Sequence, residues 1–116
     1  MSGMSSGMVY DQRDIVLIPF PYTDLTGAKQ RPALIVSNQK LNRTEDRICC
    51  LVTSNPASEG ILLESKSISS GSLPLKSWVK PFRLFTINTR IIRKKICTVN
   101  KQLHDKVVSE LGTYLE

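Results

Sequence analysis

The chain has very little histidine and lacks the glycine-rich motifs that bind phosphate. It has a single histidine, His104, and neither a GxGxxG nor a GxxxxGK[ST] motif. Nucleophilic catalysis by Ser–His–Asp or Cys–His groups needs a histidine base, whereas the spacing of His104 from Leu103 and Val107 favours a residue that packs on a helix face. Because phosphate loops and paired carboxylates at strand ends are also missing, we expect no cofactor.

Cysteine is scarce too, and its three positions exclude two common uses. The number of cysteines (Cys49, Cys50 and Cys97) is odd, and no CxxC pair and no nearby histidine offers metal-ligand spacing, so no metal site is predicted. Cys49 and Cys50 are adjacent, and a strand would point them to opposite faces. We interpret all three as small buried hydrophobic residues in a reducing compartment.

Long apolar runs and targeting signals are absent as well. No run approaches the roughly 18 residues that a membrane helix needs. The opening MSGMSSGM lacks the basic and apolar regions of a signal peptide. We therefore expect a cytoplasmic protein with no membrane partner, in which residues 1–8 are a disordered leader and residues 9–116 form one domain.

Positive charge, in contrast, is in excess. Sixteen Lys and Arg against ten Asp and Glu give a formal net charge of +6. A field of this sign favours a polyanionic partner, either nucleic acid or an acidic protein. Charge alone does not choose between them, since many basic proteins bind neither.

Short apolar runs between turn residues predict a mainly β fold. We predict strands over residues 14–20, 31–37, 47–55 and 91–99, with a further short strand in GILLES, 60–65. Residues 21–30 and 66–75 are predicted loops because turn-forming residues dominate them. Residues 76–87 are predicted as a strand that becomes irregular at Pro81 and then forms a short helical turn at 82–85.

The end of the chain has helical periodicity. Leu103, Val107, Val108 and Leu111 recur at helical spacing after Asn100, a favourable N-cap, which predicts an amphipathic helix over about residues 100–115. The whole pattern predicts a small, strongly bent β-barrel with one C-terminal helix. The runs ALIV and ICCLV are richer in apolar residues than a monomer of this size needs, which favours a dimer.

Arg31 and the Thr53-Ser54 pair stand at the ends of two predicted strands. If these strands pair antiparallel, the start of one lies beside the end of the other, and the three side chains meet. A guanidinium binds phosphate through two parallel hydrogen bonds, and a hydroxyl can hold a further oxygen. Together they can stabilise the phosphorane formed in RNA cleavage. On these residues alone a structural role is favoured, since such residues are common at strand ends.

Three blocks of the sequence resemble a known family. DIVLIPFPYTDLTGAKQRPALIVS, ICCLVTS, and LKSWVKPFRLFTI with IIRKKI resemble the MazF/PemK-like toxins of type II toxin–antitoxin systems, over about residues 13–115. The resemblance implies an SH3-like β-barrel of the plasmid-maintenance toxin type with a C-terminal helix, and a homodimer. It implies metal-independent, sequence-selective cleavage of single-stranded RNA, leaving 2′,3′-cyclic phosphate and 5′-OH ends. It also implies a cognate antitoxin whose acidic segment fills the RNA groove, which fits a basic chain.

The resemblance also assigns roles to individual residues. The catalytic arginine of the family's RP motif falls on Arg31, which would stabilise the phosphorane and assist proton transfer. The catalytic threonine falls on Thr53, which would bind the scissile phosphate, and Pro32 would fix the strand entry behind Arg31. The positions that match the RNA groove are Ser54, Asp24, Lys29, Gln30, Lys76, Ser77 and Arg83.

The chain departs from the family pattern at two positions, and two alternative functions remain open. Arg13 stands where the family usually has glycine before its D-[IV] pair, and Cys97 stands where glycine usually follows RK[IL], near the dimer contact. The alternatives are a toxin of the same barrel that poisons DNA gyrase by binding it, and a basic SH3-like binding module. Neither alternative needs Arg31 together with Thr53.

Overall fold

The computed structural model describes residues 10–20, 29–56 and 59–116, so the leader predicted at residues 1–8 lies outside the described residues. The described residues form β1 (Asp14–Phe20), β2 (Lys29–Ile35), α1 (Gln39–Asn42), β3 (Asp46–Thr53), β4 (Ile61–Leu63), β5 (Ile68–Gly71), β6 (Ser77–Asn88), β7 (Lys94–Val99) and α2 (Lys101–Thr113). Two short 3-10 turns lie at Ser65–Ser67 and Thr89–Ile91. Within these ranges, no helix has the length and apolar character needed to cross a membrane.

The strands form one antiparallel sheet that curls into a nearly closed barrel. Their order is β4-β6-β3-β2-β1-β7-β5. The two edge strands, β4 and β5, are joined only by the turn at Ser65–Ser67. This short connection holds the two edges near each other, which bends the sheet strongly. The predicted small barrel with one C-terminal helix is confirmed.

The central strands are buried on both faces, because two hydrophobic cores flank them. Cys50, Val52 and Leu34 belong to the helix-side core, which includes Leu103 and Val107 of α2. The opposite core consists of Val16, Ile18, Ala33, Ile35, Cys49, Ile87 and Ile92. Alternating side chains therefore enter different cores, which explains why these strands read as continuous apolar runs.

The adjacent cysteines follow this alternation, as predicted. Cys49 lies in the opposite core and Cys50 in the helix-side core, and all three cysteines are free thiols. Burial raises the pKa of Cys49 and of Cys50 to about 12, and that of Cys97 to about 11. The thiols are therefore neutral at ordinary pH and act as hydrophobic side chains.

Helix α2 covers one end of the barrel in the predicted manner. The Oδ1 atom of Asn100 accepts a hydrogen bond of 2.9 Å from the backbone N–H of Leu103, which confirms the N-cap. Leu103, His104 and Val107 are buried, and His104 Nε2 lies 3.3 Å from the carbonyl oxygen of Val36. His104 is thus a helix-packing residue. The helix ends at Thr113, two residues before the predicted end.

The helical turn predicted at 82–85 is wrong, because β6 runs unbroken from Ser77 to Asn88. Its pairing with β3 shifts register: Cys50 pairs with Leu84, whereas Leu51 pairs with Lys80. Pro81, Phe82 and Arg83 therefore form a bulge. Proline has no N–H to donate to a neighbouring strand, and a bulge is where a sheet tolerates it. The irregularity at Pro81 was predicted correctly, but its form was not.

Other predicted boundaries also need correction. The predicted loop 66–75 contains the strand β5, which pairs with β7. Its Ser and Gly content favours a loop, but the free edge of β7 decides the outcome. Strand β2 begins at Lys29 rather than at 31, because β1 extends to Phe20 and pairs with it. Strand β3 ends at Thr53 rather than 55, and β7 begins at Lys94 rather than 91, after a 3-10 turn.

Arg13 has a backbone conformation that favours glycine. Its φ is +84°, in the left-handed region. Its N–H donates to the carbonyl oxygen of Ile35 at 2.8 Å, and its own carbonyl accepts from the N–H of Val99 at 2.9 Å. These two bonds connect β2 and the end of β7, so they hold Arg13 in a conformation that disfavours a residue with a Cβ.

Replacing Arg13 by glycine is therefore expected to raise the free energy of unfolding by about 0.5–1 kcal/mol. Removal of about 1–2 kcal/mol of backbone strain outweighs the roughly 0.5–1 kcal/mol lost because glycine makes the unfolded chain more flexible. Urea denaturation measures this difference. The matched control is Arg13→Ala, which removes the side chain but keeps the Cβ and should gain no stability. A glycine variant less stable than the alanine variant would contradict the strain.

Candidate functional site

Strands β2 and β3 bring Arg31 and Thr53 together. Their ladder pairs Ala33 with Leu51 and Leu34 with Cys50. The same register continued by two residues sets Arg31 opposite Thr53, and the ladder stops before that point because Pro32 has no N–H to donate. Both residues line one cleft of about 390 Å³. The antiparallel arrangement expected for these strands is therefore the arrangement observed.

The cleft has basic and polar side chains in its wall and an apolar rim. Its charged side chains among the described residues are Lys29 and Arg31, and no Asp or Glu of the described chain lines it. The rim comes from the segment Leu73-Pro74-Leu75 between β5 and β6. The remaining lining residues are Leu17, Gln30, Pro32, Val52, Thr53, Ser54, Asn55, Ser77 and Ile96. This wall is suited to an anionic ligand with apolar parts.

The guanidinium of Arg31 is available for such a ligand. Arg31 is partly buried, and its side chain makes no hydrogen bond or ion pair with any residue that the structure describes. Arg47 shows the contrast: it is fully buried, and its guanidinium donates to the carbonyl oxygens of Tyr10, Thr44 and Asp46. Arg47 stabilises the fold, whereas the donors of the Arg31 guanidinium have no acceptor among the described residues.

Thr53 is a buried hydroxyl with an unused donor. Only 6% of its surface is exposed, and its Oγ1 accepts a hydrogen bond of 3.1 Å from the N–H of Asn55. Its own hydroxyl hydrogen has no acceptor among the described residues. A buried donor without an acceptor costs free energy, and a ligand oxygen in the cleft would remove that cost. Ser77, by contrast, already donates to the carbonyl of Leu75 at 2.9 Å.

The other residues predicted for the site divide into three groups. Ser54, Lys29, Gln30 and Ser77 line the same cleft as Arg31. Lys76 lines a neighbouring cleft of about 280 Å³, on the other side of the Leu73-Pro74-Leu75 rim. Arg83 lies apart from both, and Asp24 lies outside the described residues.

Arg83 belongs to a different surface. It projects from the bulge of β6 among Phe20, Phe82, Leu84 and Phe85, where it lines an apolar depression that contains neither Arg31 nor Thr53. Phe82 and Leu84 are 41% and 44% exposed, which is unusual for side chains of this size. The structure therefore separates Arg83 from the cleft residues with which the sequence grouped it.

Sequence reasoning missed the rim of the site and a neighbouring aromatic residue, Trp78, which does not itself line the cleft. The rim at Leu73–Leu75 was assigned to a featureless loop, and only the pairing of β5 with β7 places it over the cleft. Trp78, the only tryptophan of the chain, pairs directly with Thr53 across β3 and β6. The ammonium of Lys76 lies 5.9 Å from the centre of its ring. The sequence signal that could have indicated Trp78 is the basic residue Lys76 two positions before it.

A metal site is not evident in the described part of the chain. Residues 10–20, 29–56 and 59–116 contain no group of three or more His, Cys, Asp or Glu that could hold a metal ion. The chemistry that the described cleft itself offers is the binding of an anion by a guanidinium and a hydroxyl.

One family matches almost the whole chain. The profile of the PemK-like, MazF-like toxins of type II toxin–antitoxin systems covers residues 11–115. No curated protein matches the chain.

Solved structures show the same fold at low sequence identity. A MazE–MazF complex from Deinococcus radiodurans, crystal form II, has a TM-score of 0.75 and 22% identity, covering 92% of this chain and 96% of that chain. A mycobacterial endoribonuclease in complex with its cognate antitoxin has a TM-score of 0.70 and 22% identity, covering 92% and 93%. A further mycobacterial endoribonuclease has a TM-score of 0.71 and 19% identity, covering 92% and 91%. The fold of these proteins is therefore the fold of this chain.

Proposed function

The chain belongs to the PemK-like, MazF-like toxins of type II toxin–antitoxin systems, and from this premise we propose that it is a metal-independent, sequence-selective endoribonuclease of single-stranded RNA. The observation that carries the proposal is the meeting of Arg31 and Thr53 in one cleft, where the described lining contains no carboxylate. A guanidinium and a buried hydroxyl whose donors have no acceptor among the described residues fit the oxygens of a phosphodiester. The solved endoribonucleases of the same fold are consistent with this reading.

In the proposed reaction, RNA supplies its own nucleophile. The ribose 2′-oxygen attacks the adjacent phosphorus, a P–O2′ bond forms, and the P–O5′ bond breaks. The 2′-hydroxyl loses its proton and the departing 5′-oxygen gains one, so no co-reactant is consumed. The products are a 2′,3′-cyclic phosphate and a 5′-OH. Charge accumulates on the non-bridging phosphate oxygens in the transition state, and that is where stabilisation accelerates the reaction.

Arg31 and Thr53 provide that stabilisation in our proposal. The guanidinium directs its positive charge and its N–H donors at the phosphorane. The Thr53 hydroxyl donates its free hydrogen to a second non-bridging oxygen. Since Thr53 is held by Asn55 and is almost completely buried, the donor is positioned before the substrate arrives.

The remaining predicted residues have different places in the proposal. Ser54, Lys29, Gln30 and Ser77 contact RNA within the cleft, because they share its wall. Lys76 contributes charge to the RNA path beyond the rim. Arg83 does not reach the scissile phosphate, because the bulge of β6 carries it to another surface. Asp24, outside the described residues, remains proposed on the family resemblance alone.

The proposed partners are an acidic antitoxin and a second copy of the chain. An antitoxin segment with carboxylates would complement the net charge of +6 and compete with RNA for the cleft. The apolar runs that favoured a dimer are mostly buried within one chain, at Ala33–Ile35 and Cys49–Val52, so they no longer support it. The homodimer is proposed from the family resemblance, and the exposed Phe82 and Leu84 offer a surface for it.

The direct test is to incubate purified protein with a long single-stranded RNA of varied sequence in the presence of EDTA. We expect discrete fragments whose 5′-OH ends accept label from a polynucleotide kinase without phosphatase treatment. The same sequence made with 2′-O-methyl ribose should remain intact, because it has no nucleophile. Intact natural RNA would overturn the proposal and leave the gyrase poison or the binding module. Cleavage that disappears in EDTA would overturn the metal-independent reaction.

A further inference from the structure

We propose that Trp78 is a stacking platform for a nucleobase, placed beside the phosphate-binding pair Arg31 and Thr53. The inference rests on the proposed function, since it assigns the RNA subsite next to the scissile phosphate. The proposed function assigns residues to the phosphate alone, whereas a stacking residue determines how a neighbouring base is held. Its support comes from three features: the register of β6, the exposure of the indole, and the position of Lys76 directly before the strand.

The register of the sheet puts Trp78 in line with the phosphate-binding pair. Thr53 of β3 and Trp78 of β6 are direct antiparallel partners, so their side chains share one face with Cβ atoms about 4.5–5.5 Å apart. Arg31, by continuation of the β2–β3 register, occupies the next position of the same row. Two strand spacings of about 4.8 Å separate Arg31 from Trp78, or roughly 10 Å. In RNA, a single ribose separates a phosphate from the neighbouring base. A phosphate bound at Arg31 and Thr53 would therefore place such a base near Trp78.

The indole is available for stacking. Trp78 is only partly buried, although its neighbours on β6, Ser77 and Val79, are 4% and 0% exposed. Its ring N–H makes no hydrogen bond to any residue in the described ranges. A tryptophan that served the core alone would be expected to pack more fully and to find an acceptor for its N–H. The exposed part of the ring therefore fits a partner with a flat π-face.

Lys76 gives the platform an electrostatic component. Its ammonium lies 5.9 Å from the ring centre, within the range of a cation–π contact, and its side chain is exposed. Such a contact at an exposed site is weaker than the stacking of a base on an aromatic ring. A base can thus displace the lysine from the ring, and the flexible ammonium then stays close enough to pair with a phosphate of the bound strand.

The chain contains one tryptophan, so its own fluorescence reports the site directly. The probe is a 2′-O-methyl oligoribonucleotide of mixed sequence, which the protein cannot cleave, with a second labelled copy to follow binding by anisotropy. We expect quenching of Trp78 fluorescence that saturates together with the anisotropy. Trp78→Leu is expected to weaken binding about tenfold, within the range for loss of one stacked base, while Trp78→Phe keeps most of the affinity.

Cleavage kinetics on natural RNA separate stacking from a structural role. Trp78→Leu should raise KM with kcat largely retained, since stacking contributes equally before and during the reaction. Lys101→Ala, a change on helix α2 outside the cleft, serves as the variant control for handling and folding. The urea midpoint of each variant shows whether the fold is kept. If Trp78→Leu unfolds, the fluorescence quenching of the wild type and the RNA affinity of Trp78→Phe test the stacking role instead.

The outcomes distinguish the platform from the proposed function. If the wild type cleaves RNA but its Trp78 fluorescence does not change at saturating RNA, the stacking role of Trp78 is wrong and the proposed endoribonuclease function is retained. Equal RNA affinity for folded Trp78→Leu and the wild type would overturn it as well. Saturable quenching by a protein that cleaves no RNA would retain the platform and overturn the proposed function.

Discussion

Replacement of Arg31 by alanine is expected to slow RNA cleavage by about 10²–10³-fold or more, the loss found when one oxyanion donor is removed from a preorganised site. Arg31 makes no hydrogen bond or ion pair with any described residue, so its removal should leave the fold intact. The loss should appear mainly in kcat, because the extra negative charge of the phosphorane exists only in the transition state. Single-turnover cleavage of a short RNA containing one cut site measures it.

Two further variants make this result specific. Arg31→Lys keeps the charge but loses the planar pair of donors, so its rate should fall between those of the wild type and Arg31→Ala. Arg43→Ala removes the same charge at α1, beside the opposite end of β3 from Thr53, and should leave the rate unchanged. If Arg31→Ala and Arg43→Ala cleave equally well, Arg31 has no role in the reaction.

Replacement of Gly71 by alanine is expected to lower the free energy of unfolding by about 3 kcal/mol. Gly71 has φ +77°, and an added Cβ would lie 2.7 Å from the carbonyl oxygen of Ile96 and 2.9 Å from the Cα of Cys97. The left-handed conformation costs an alanine about 1–2 kcal/mol, and overpacking against backbone that cannot rotate away adds about 1–3 kcal/mol. Urea denaturation of both proteins, followed by circular dichroism, measures the difference.

Gly112, another glycine of the described chain, provides an internal control. Gly112 lies in α2, and an added Cβ there would meet nothing within 4 Å. Gly112→Ala is therefore expected to raise stability by up to about 1 kcal/mol, the ordinary gain of alanine over glycine in a helix. The two substitutions are chemically identical, but their expected effects on the free energy of unfolding are opposite in sign. A Gly71→Ala protein as stable as the wild type would show that β5 does not lie against β7 as described.

The loss at Gly71 has a functional consequence as well. Gly71 pairs with Cys97 at the end of β5, directly before the segment that carries the rim Leu73-Pro74-Leu75. Displacement of this strand end would move the rim relative to Arg31 and Thr53. The folded fraction of the Gly71→Ala protein should therefore cleave RNA more slowly than the same amount of folded wild-type protein.

Much of the fold could be predicted from local sequence because its elements have strong local signals. The apolar runs around Ile15, Leu34 and Cys50 become strands, and the Asn100 cap starts the helix as expected. The placement of Arg31 and Thr53 in one cleft also followed from two strand ends and the antiparallel rule. Where prediction failed, the local signal pointed the wrong way: Ser and Gly content hid β5, and Pro81 indicated a break where the sheet accommodates a bulge.

The candidate site was only partly predictable for the same reason. Arg31, Thr53, Lys29 and Ser77 are brought into one cleft, but Arg83, grouped with them by position along the chain, is carried to another surface. The placement of Trp78 beside Thr53 depends on a register that shifts between Cys50 and Leu51. No local pattern records such a shift, because it depends on the pairing of residues about thirty positions apart.

By itself, the sequence determined the basic charge, the strand-forming runs, the capped helix and the family to which the chain belongs. These follow from composition and from neighbours a few residues apart, which act in the same way in any chain. Only the tertiary structure decided that β5 closes the barrel edge, that Arg13 adopts a conformation suited to glycine, and that Trp78 lies in line with Arg31 and Thr53. These features arise from hydrogen-bond register between distant strands, and that register is set by the packing of the whole barrel rather than by any single segment.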